Sequence, residues 1–135
     1  MEIKNFFQKI FTHHKDVHVP SVIQEHFQEQ FSDSMNAEWQ KNDEVYEVVF
    51  YRNEHENIVT YQKDGSLLSL KVNLLLDELP DKITQEGMEH GELMNAIKIE
   101  YKDEIQYELI VRDEMLVRYS LLLNDKGEIL NNRQL

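Results

Sequence analysis

Three short patterns recur along this chain at nearly constant spacing. Pro20, the pair Tyr46-Glu47 and the turn glycine Gly65 return as Pro80, Tyr107-Glu108 and Gly127, at offsets of 60, 61 and 62 residues. Loops tolerate single insertions more readily than strands do, so a slow drift of this kind is typical of a duplicated unit with insertions in its turns. The sequence therefore predicts two similar structural units.

Each predicted unit begins with helical spacing and continues with alternation. Proline at the first helical position loses no hydrogen bond, so Pro20 and Pro80 can each open a helix. Four alternating apolar and polar segments separated by turn residues follow each helix. We expect the inward-facing residues to include Ala37, Trp39, Tyr46, Val48, Phe50, Ile97, Ile99, Tyr107, Leu109 and Val111.

The predicted fold class is α+β. It is a tandem repeat of helix plus four-stranded antiparallel sheet, forming one curved, roughly eight-stranded sheet with the helices on one face. The domain is expected to span 20–135, with its two repeats at 20–78 and 79–135.

The first nineteen residues have a helical periodicity of their own. Ile3, Phe6, Phe7, Ile10 and Phe11 fall on one stripe. This spacing predicts an amphipathic helix over 1–19 that packs on its own domain or on a second copy, as a homodimer, in preference to a membrane surface. The segment lacks the apolar run of an export signal, and no stretch of the chain is long and apolar enough to span a bilayer, so we expect a cytoplasmic protein.

Charge and composition exclude several classes of function. The chain has 26 acidic and 14 basic residues, for a formal net charge of −12, which repels nucleic-acid phosphates and suits a basic partner. It has no cysteine, which excludes disulfides and thiolate metal sites. With 41% hydrophobic residues, it can build a core without such staples.

The sequence shows no catalytic constellation. His14 and His18 have the i, i+4 spacing of a metal pair, but no third ligand is placed by spacing and the His-Glu-x-x-His arrangement is absent. Carboxylates at helical spacing, such as Glu25 and Glu29, are typical of a solvated face. The chain has only 4 glycines and lacks a phosphate-binding loop or nucleophile elbow. We therefore predict no enzyme activity, no catalytic residue, no metal and no cofactor.

Several of these motifs together resemble a known family. They are the Ala37-Glu38-Trp39 segment, the strand Tyr46-x-Val48-x-Phe50, the Lys63–Leu68 turn and the Leu79-Pro80 pair that opens the second round. In this respect residues 19–135 resemble the PepSY-like proteins, also described as β-lactamase-inhibitor-like. The resemblance implies a tandem repeat of helix plus sheet and a role in binding or inhibiting other proteins, without an agreed set of functional residues.

If the helices cover one face of the sheet, function is expected on the other. Its predicted partner-binding residues are Glu47, Val49, Tyr51, Thr60, Lys71, Glu108, Ile110, Arg112 and Arg118. Tyrosine, arginine and aliphatic groups together are typical of interfaces, although an antiparallel sheet also commonly leaves one face in water. The leading hypothesis is a non-catalytic protein-binding or inhibitor-like domain. The alternatives are a homo-oligomeric structural protein, or a small-ligand carrier or enzyme with a pocket between helices and sheet.

Overall fold

The computed structural model describes residues 17–135 of the chain. Two helices, α1 (Ser21–Gln30) and α2 (Asp81–Met88), and a 3-10 turn at Leu76–Glu78 accompany eight strands. The strands are β1 (Met35–Asn42), β2 (Val45–Arg52), β3 (His55–Gln62), β4 (Leu67–Leu74), β5 (Glu92–Tyr101), β6 (Glu104–Arg112), β7 (Arg118–Asn124) and β8 (Ile129–Gln134). They form one sheet in the order of the sequence.

The predicted fold class is wrong as stated. The expected antiparallel sheet is present, but the described chain is mostly that one eight-stranded sheet, with only two short helices, and a tandem repeat of helix plus sheet is not shown. A proline precedes the start of each helix. α1 begins after Pro20 and spans 10 residues, and α2 begins after Pro80, spans 8 residues and ends before Gly91. The predicted N-terminal helix falls largely on residues 1–16, outside the described residues, and 17–20 have no regular secondary structure.

The chain divides into two compact units, one ending at Leu70 and the other spanning Lys71–Leu135. In the first unit, α1 packs on β2 and β3. The core contains Val19, Ile23, Phe27, Phe31, Tyr46, Val48, Phe50, Val59 and Tyr61, with Trp39 packed against it. The inward positions predicted for Trp39, Tyr46, Val48 and Phe50 are therefore confirmed. Ala37 is exposed, because the β1–β2 register is irregular between Met35 and Glu38.

In the second unit, α2 packs on β5, β6 and β7. Its core contains Leu79, Ile83, Ala96, Tyr107, Leu109, Val111, Leu121 and Leu123. The inward positions of Tyr107, Leu109 and Val111 are confirmed. The expected inward positions of Ile97 and Ile99 are wrong: Ile97 pairs with Glu108, and therefore faces away from α2, while Ala96 pairs with Leu109 and faces the core.

Tyr61 links the sheet of the first unit to α1. Its side chain is fully buried, and its hydroxyl donates to Gln30 Oε1 at 2.7 Å. Burial raises the pKa of Tyr61 from the usual 10.0 to about 12, because the phenolate would lose its hydration.

We expect this shift to make stability depend on alkaline pH. The folded pKa lies above the unfolded value, so the contribution of Tyr61 is complete below pH 10 and is lost as the pH rises to about 12. In urea titrations over this window, the wild type should lose about 2 kcal/mol more than Tyr61→Phe. Tyr101→Phe, at an exposed position, is the control and should track the wild type. Parallel pH profiles of the wild type and Tyr61→Phe would contradict the expectation.

Candidate protein-binding face

In the first unit, the candidate site is the sheet face opposite α1. Tyr46, Val48 and Phe50 turn toward the helix, so strand alternation places Glu47, Val49 and Tyr51 on the other side. Cross-strand pairing adds two neighbours from β3: Glu47 pairs with Thr60, and Val49 pairs with Ile58. The four predicted residues of this unit, Glu47, Val49, Tyr51 and Thr60, therefore share one face.

Tyr51 is the most exposed of these four side chains, at 46%. It pairs with Glu56 on β3, and its hydroxyl donates to Glu56 Oε1 at 3.1 Å. Partial burial raises the pKa of Tyr51, and the hydrogen bond and the negative charge of Glu56 add to the effect. Tyr51 is therefore a neutral aromatic group with a fixed hydroxyl, which combines apolar area with one polar contact, as interface tyrosines do.

In the second unit, the corresponding face lies opposite α2. Leu109 and Val111 turn toward the helix, which leaves Glu108, Ile110 and Arg112 on the other side. Arg112 pairs across the sheet with Arg118, and its Nη2 donates to Glu92 Oε2 at 3.0 Å. This ion pair with Glu92 offsets part of the repulsion between the two guanidinium groups.

Lys71 joins this face from β4. Leu74 of the same strand packs against the core of the second unit, so alternation places Lys71 on the opposite side. Lys71, Glu108, Ile110, Arg112 and Arg118 therefore share the face of the second unit opposite α2. That these nine residues bind a partner stays a prediction.

Sequence reasoning missed several buried residues on these faces. Ile58 and Ile97 are each only 2% exposed, although both point away from the helix of their own unit. Asn95, which pairs with Ile110, is also buried, at 8% exposure. Its placement depends on a register shift between Leu93 and Asn95. The sequence carries no clear signal for such a bulge, because no glycine or proline marks it.

A separate cleft of about 390 Å³ lies in the second unit beside the end of α2. It is lined by Glu89, His90, Asp113, Tyr119, Leu121 and Asn132. Asp113 Oδ1 accepts the backbone N–H groups of Met115 and Val117 at 2.9 and 3.0 Å. Burial raises the pKa of Tyr119, and the adjacent Asp113 carboxylate raises it further. A small-ligand carrier, the alternative hypothesis, would place a polar ligand here.

The described part of the chain has neither a cluster of metal-ligating side chains nor a helix that could cross a membrane. Residues 17–135 contain no group of three histidine, aspartate or glutamate side chains positioned to hold a metal ion. Neither α1 nor α2 has the length and apolar character of a membrane-spanning segment.

The sequence matches no protein-family model and no curated protein, whereas the fold has clear counterparts among solved structures. A DUF2874 family protein from Bacteroides ovatus superposes with a TM-score of 0.78 at 18% identity, over 87% of this chain and 89% of that one. A BLIP-like protein from Bacteroides fragilis gives a TM-score of 0.76 at 15% identity, over 88% of each chain. The fold is BLIP-like. The sequence resemblance to β-lactamase-inhibitor-like proteins is thus supported at the level of fold. The name PepSY is not confirmed.

The expected cytoplasmic location is contradicted by a third solved structure with this fold. A candidate periplasmic protein from Bacteroides eggerthii superposes with a TM-score of 0.79 at 18% identity, over 87% of this chain and 90% of that one. That structure is described as periplasmic, so the expectation of a cytoplasmic location does not stand. The expectation had rested on the residues before the BLIP-like domain, and the domain itself has no cysteine pattern that reports a compartment.

Proposed function

We propose that this chain is a non-catalytic, inhibitor-like domain that binds another protein through the sheet faces opposite its helices. The observation that carries the proposal is the BLIP-like fold, shared over 88% of the chain with the Bacteroides fragilis protein. The composition of the faces supports it, since each carries charged groups beside aliphatic ones, with Tyr51 in the first unit and Arg112 in the second. Tyrosine and arginine are the residues that most often dominate binding energy at interfaces.

The proposal is tested by substituting these two side chains together. A partner is first captured with the tagged full chain from the native cell and identified by mass spectrometry, and its affinity is then measured with purified proteins by calorimetry. We expect Tyr51→Ala with Arg112→Ala to raise Kd by about 100-fold, because each hot-spot truncation costs a factor of about ten or more.

The control substitutes two exposed helix residues, Val22→Ala with Lys82→Ala. It should leave Kd within about twofold of the wild type, because neither residue lies on the proposed faces. Melting curves establish that both double variants are folded. A partner that binds the Tyr51 and Arg112 variant as tightly as the wild type would refute the proposed faces.

A further inference from the structure

The cleft of the second unit combines hydrogen-bond acceptors with an apolar floor. Its lining includes the carboxylates of Glu89 and Asp113 and the carboxamide of Asn132. The side chain of Leu121, which is fully buried, and the ring of Tyr119 supply the carbon surface. A volume of about 390 Å³ is within the range of small-ligand pockets. The cleft can therefore accommodate a ligand with one polar end and a short apolar stem.

Strand pairing places the floor of the cleft on the side of the sheet that carries α2. Tyr119 pairs with Val111 and Leu121 pairs with Leu109, and both partners belong to the core under this helix. Asn132 of β8 pairs with Leu121, so its side chain is on the same side. The cleft is thus separate from the proposed binding face, and an inference about it goes beyond the proposed function.

The carboxylate of Asp113 is held in a fixed position at the cleft. Its Oδ1 accepts the backbone N–H groups of Met115 and Val117 at 2.9 and 3.0 Å, and the Tyr119 hydroxyl also donates to it. An ionised carboxylate has about four acceptor positions. Three donors from the chain therefore orient the group and leave capacity for one donor from a ligand.

The end of α2 adds negative potential to the cleft from a second direction. Glu89 is the residue that caps this end, and His90 follows it. The carbonyl groups at the end of a helix carry a partial negative charge, and the last turn of α2 contains no basic side chain to offset it. The carboxylate of Glu89 and the helix dipole thus favour a cation beside Asp113.

The lining suits an organic cation better than a metal ion. Among the residues that the structure describes, no three histidine, aspartate or glutamate side chains are placed to hold a metal, whereas calcium takes about six to eight oxygen ligands. An ammonium group has only three N–H donors to satisfy. Its alkyl stem can pack on Leu121, and the ring face of Tyr119 attracts positive charge.

We infer that this cleft binds a primary alkylammonium group, carried by a small amine or by a lysine side chain. The nitrogen donates to the carboxylates of Glu89 and Asp113 and to the carboxamide oxygen of Asn132. The alkyl chain lies along the floor formed by Leu121 and Tyr119. The neutral ring of His90 adds a nitrogen that can accept from the same group.

The test titrates the labelled full chain with n-butylammonium chloride and follows the methyl signals of Leu121 and the ring signals of Tyr119 by nuclear magnetic resonance. Saturable shifts are expected, with half-saturation on the order of 10 mM for a ligand of this size. 1-Butanol has the same chain without the charge, and butyrate has the opposite charge. Both should shift these signals at least several-fold less at equal concentration.

The amide-capped lysine Nα-acetyl-lysine methylamide distinguishes the two sources of the group. Half-saturation similar to that of n-butylammonium would show that the cleft admits a lysine side chain attached to a peptide backbone. Binding of n-butylammonium without binding of the capped lysine would identify a site for free amines. Either result supports an alkylammonium site.

Glu89→Gln removes one charge from the cleft while nearly preserving the shape of an exposed side chain. It should raise the half-saturation concentration for n-butylammonium about threefold to fivefold, as expected for an exposed ion pair. Glu128→Gln is the matched control: it removes the same charge from an exposed position that does not line the cleft. It should leave half-saturation unchanged, and melting curves establish that both variants are folded.

Four results would overturn the inference. They are shifts that do not saturate by about 200 mM, an equal response to 1-butanol, equal half-saturation in the two glutamine variants, and saturation by magnesium or calcium chloride at lower concentration than by n-butylammonium. The comparison of probes uses the wild type alone, so it decides the question even if a variant is unstable. The double variant of Tyr51 and Arg112 retains every residue that lines the cleft, so it should still bind n-butylammonium whether or not the proposed faces bind a partner.

Discussion

Phe27→Ala is expected to lower the free energy of unfolding by about 4 kcal/mol, because it removes the centre of an aromatic cluster. Phe27 is 5% exposed. Its ring centroid lies 5.1 Å from that of Phe50, 5.3 Å from that of Trp39 and 5.7 Å from that of Phe31, with edge-on geometry to Phe50 and Trp39. Truncation would leave a cavity that the three neighbouring rings, one directly after α1 and the others on β1 and β2, cannot fill without losing their own contacts.

Urea denaturation followed by tryptophan fluorescence measures this loss, since Trp39 is the only tryptophan of the chain. Phe27→Leu keeps most of the volume and should cost no more than about 1.5 kcal/mol. Val22→Ala, at an exposed position on the same helix, should change stability by less than about 0.5 kcal/mol. A loss below about 1 kcal/mol for Phe27→Ala would mean that α1 contributes little to the core.

The sequence was most informative where alternation is uninterrupted. The apolar-polar alternation along β2 was enough to assign Tyr46, Val48 and Phe50 to the core. Their exposed fractions are 8%, 0% and 1%. The antiparallel sheet followed from such segments and the turn residues between them. The error in fold class arose from the helices, because helical spacing after a proline shows where a helix starts but gives little information on how short it will be.

Alternation fails where a strand contains an extra residue. The register shift between Leu93 and Asn95 leaves Met94 without a regular partner, and every later residue of β5 changes face relative to an unbroken count. For this reason Ile97 lies on the face opposite the core under α2. Ala37 was misplaced at the corresponding irregularity of β1.

The candidate face could be predicted only in part for the same reason. Glu108 and Arg112 lie on β6, which has no register shift, so the alternation of side chains along the sequence placed them correctly on the face opposite α2. Asn73 Oδ1 and Asn95 Nδ2 are buried without a hydrogen-bond partner in the chain. This could not be predicted, because it depends on the atoms around each carboxamide in three dimensions. Sequence patterns show which way a side chain points, but they do not show whether a neighbour satisfies its hydrogen bonds.

Gly91→Ala is expected to cost about 3 kcal/mol of stability and to disturb the proposed binding face. A Cβ at Gly91 would lie 2.5 Å from the backbone oxygen of Arg112 and 2.8 Å from its carbonyl carbon. Both are main-chain atoms of β6 and cannot rotate away. In addition, Gly91 has φ +153°, a conformation that side-chain-bearing residues rarely adopt.

Gly127→Ala is the matched control in the same unit. Its φ of +89° also disfavours a side chain, but the nearest atom to its Cβ would be a flexible Lys82 side-chain carbon at 3.4 Å. It should therefore cost only about 1 kcal/mol. Both substitutions disturb the backbone conformation, but only Gly91→Ala also disturbs the close approach to β6. The difference between their losses of unfolding free energy in urea titrations therefore measures the cost of that close approach. Equal losses would contradict a special role for that approach.

The same close approach has a consequence for binding. Glu92 follows Gly91 directly, pairs with Arg112 and forms the 3.0 Å ion pair with its guanidinium. If Gly91→Ala pushes the start of β5 away from β6, the guanidinium loses this carboxylate and its fixed orientation. The variant should therefore bind a captured partner about tenfold more weakly even at temperatures where it is fully folded, while Gly127→Ala should bind normally. Wild-type affinity in folded Gly91→Ala would indicate that the partner does not depend on how Arg112 is positioned.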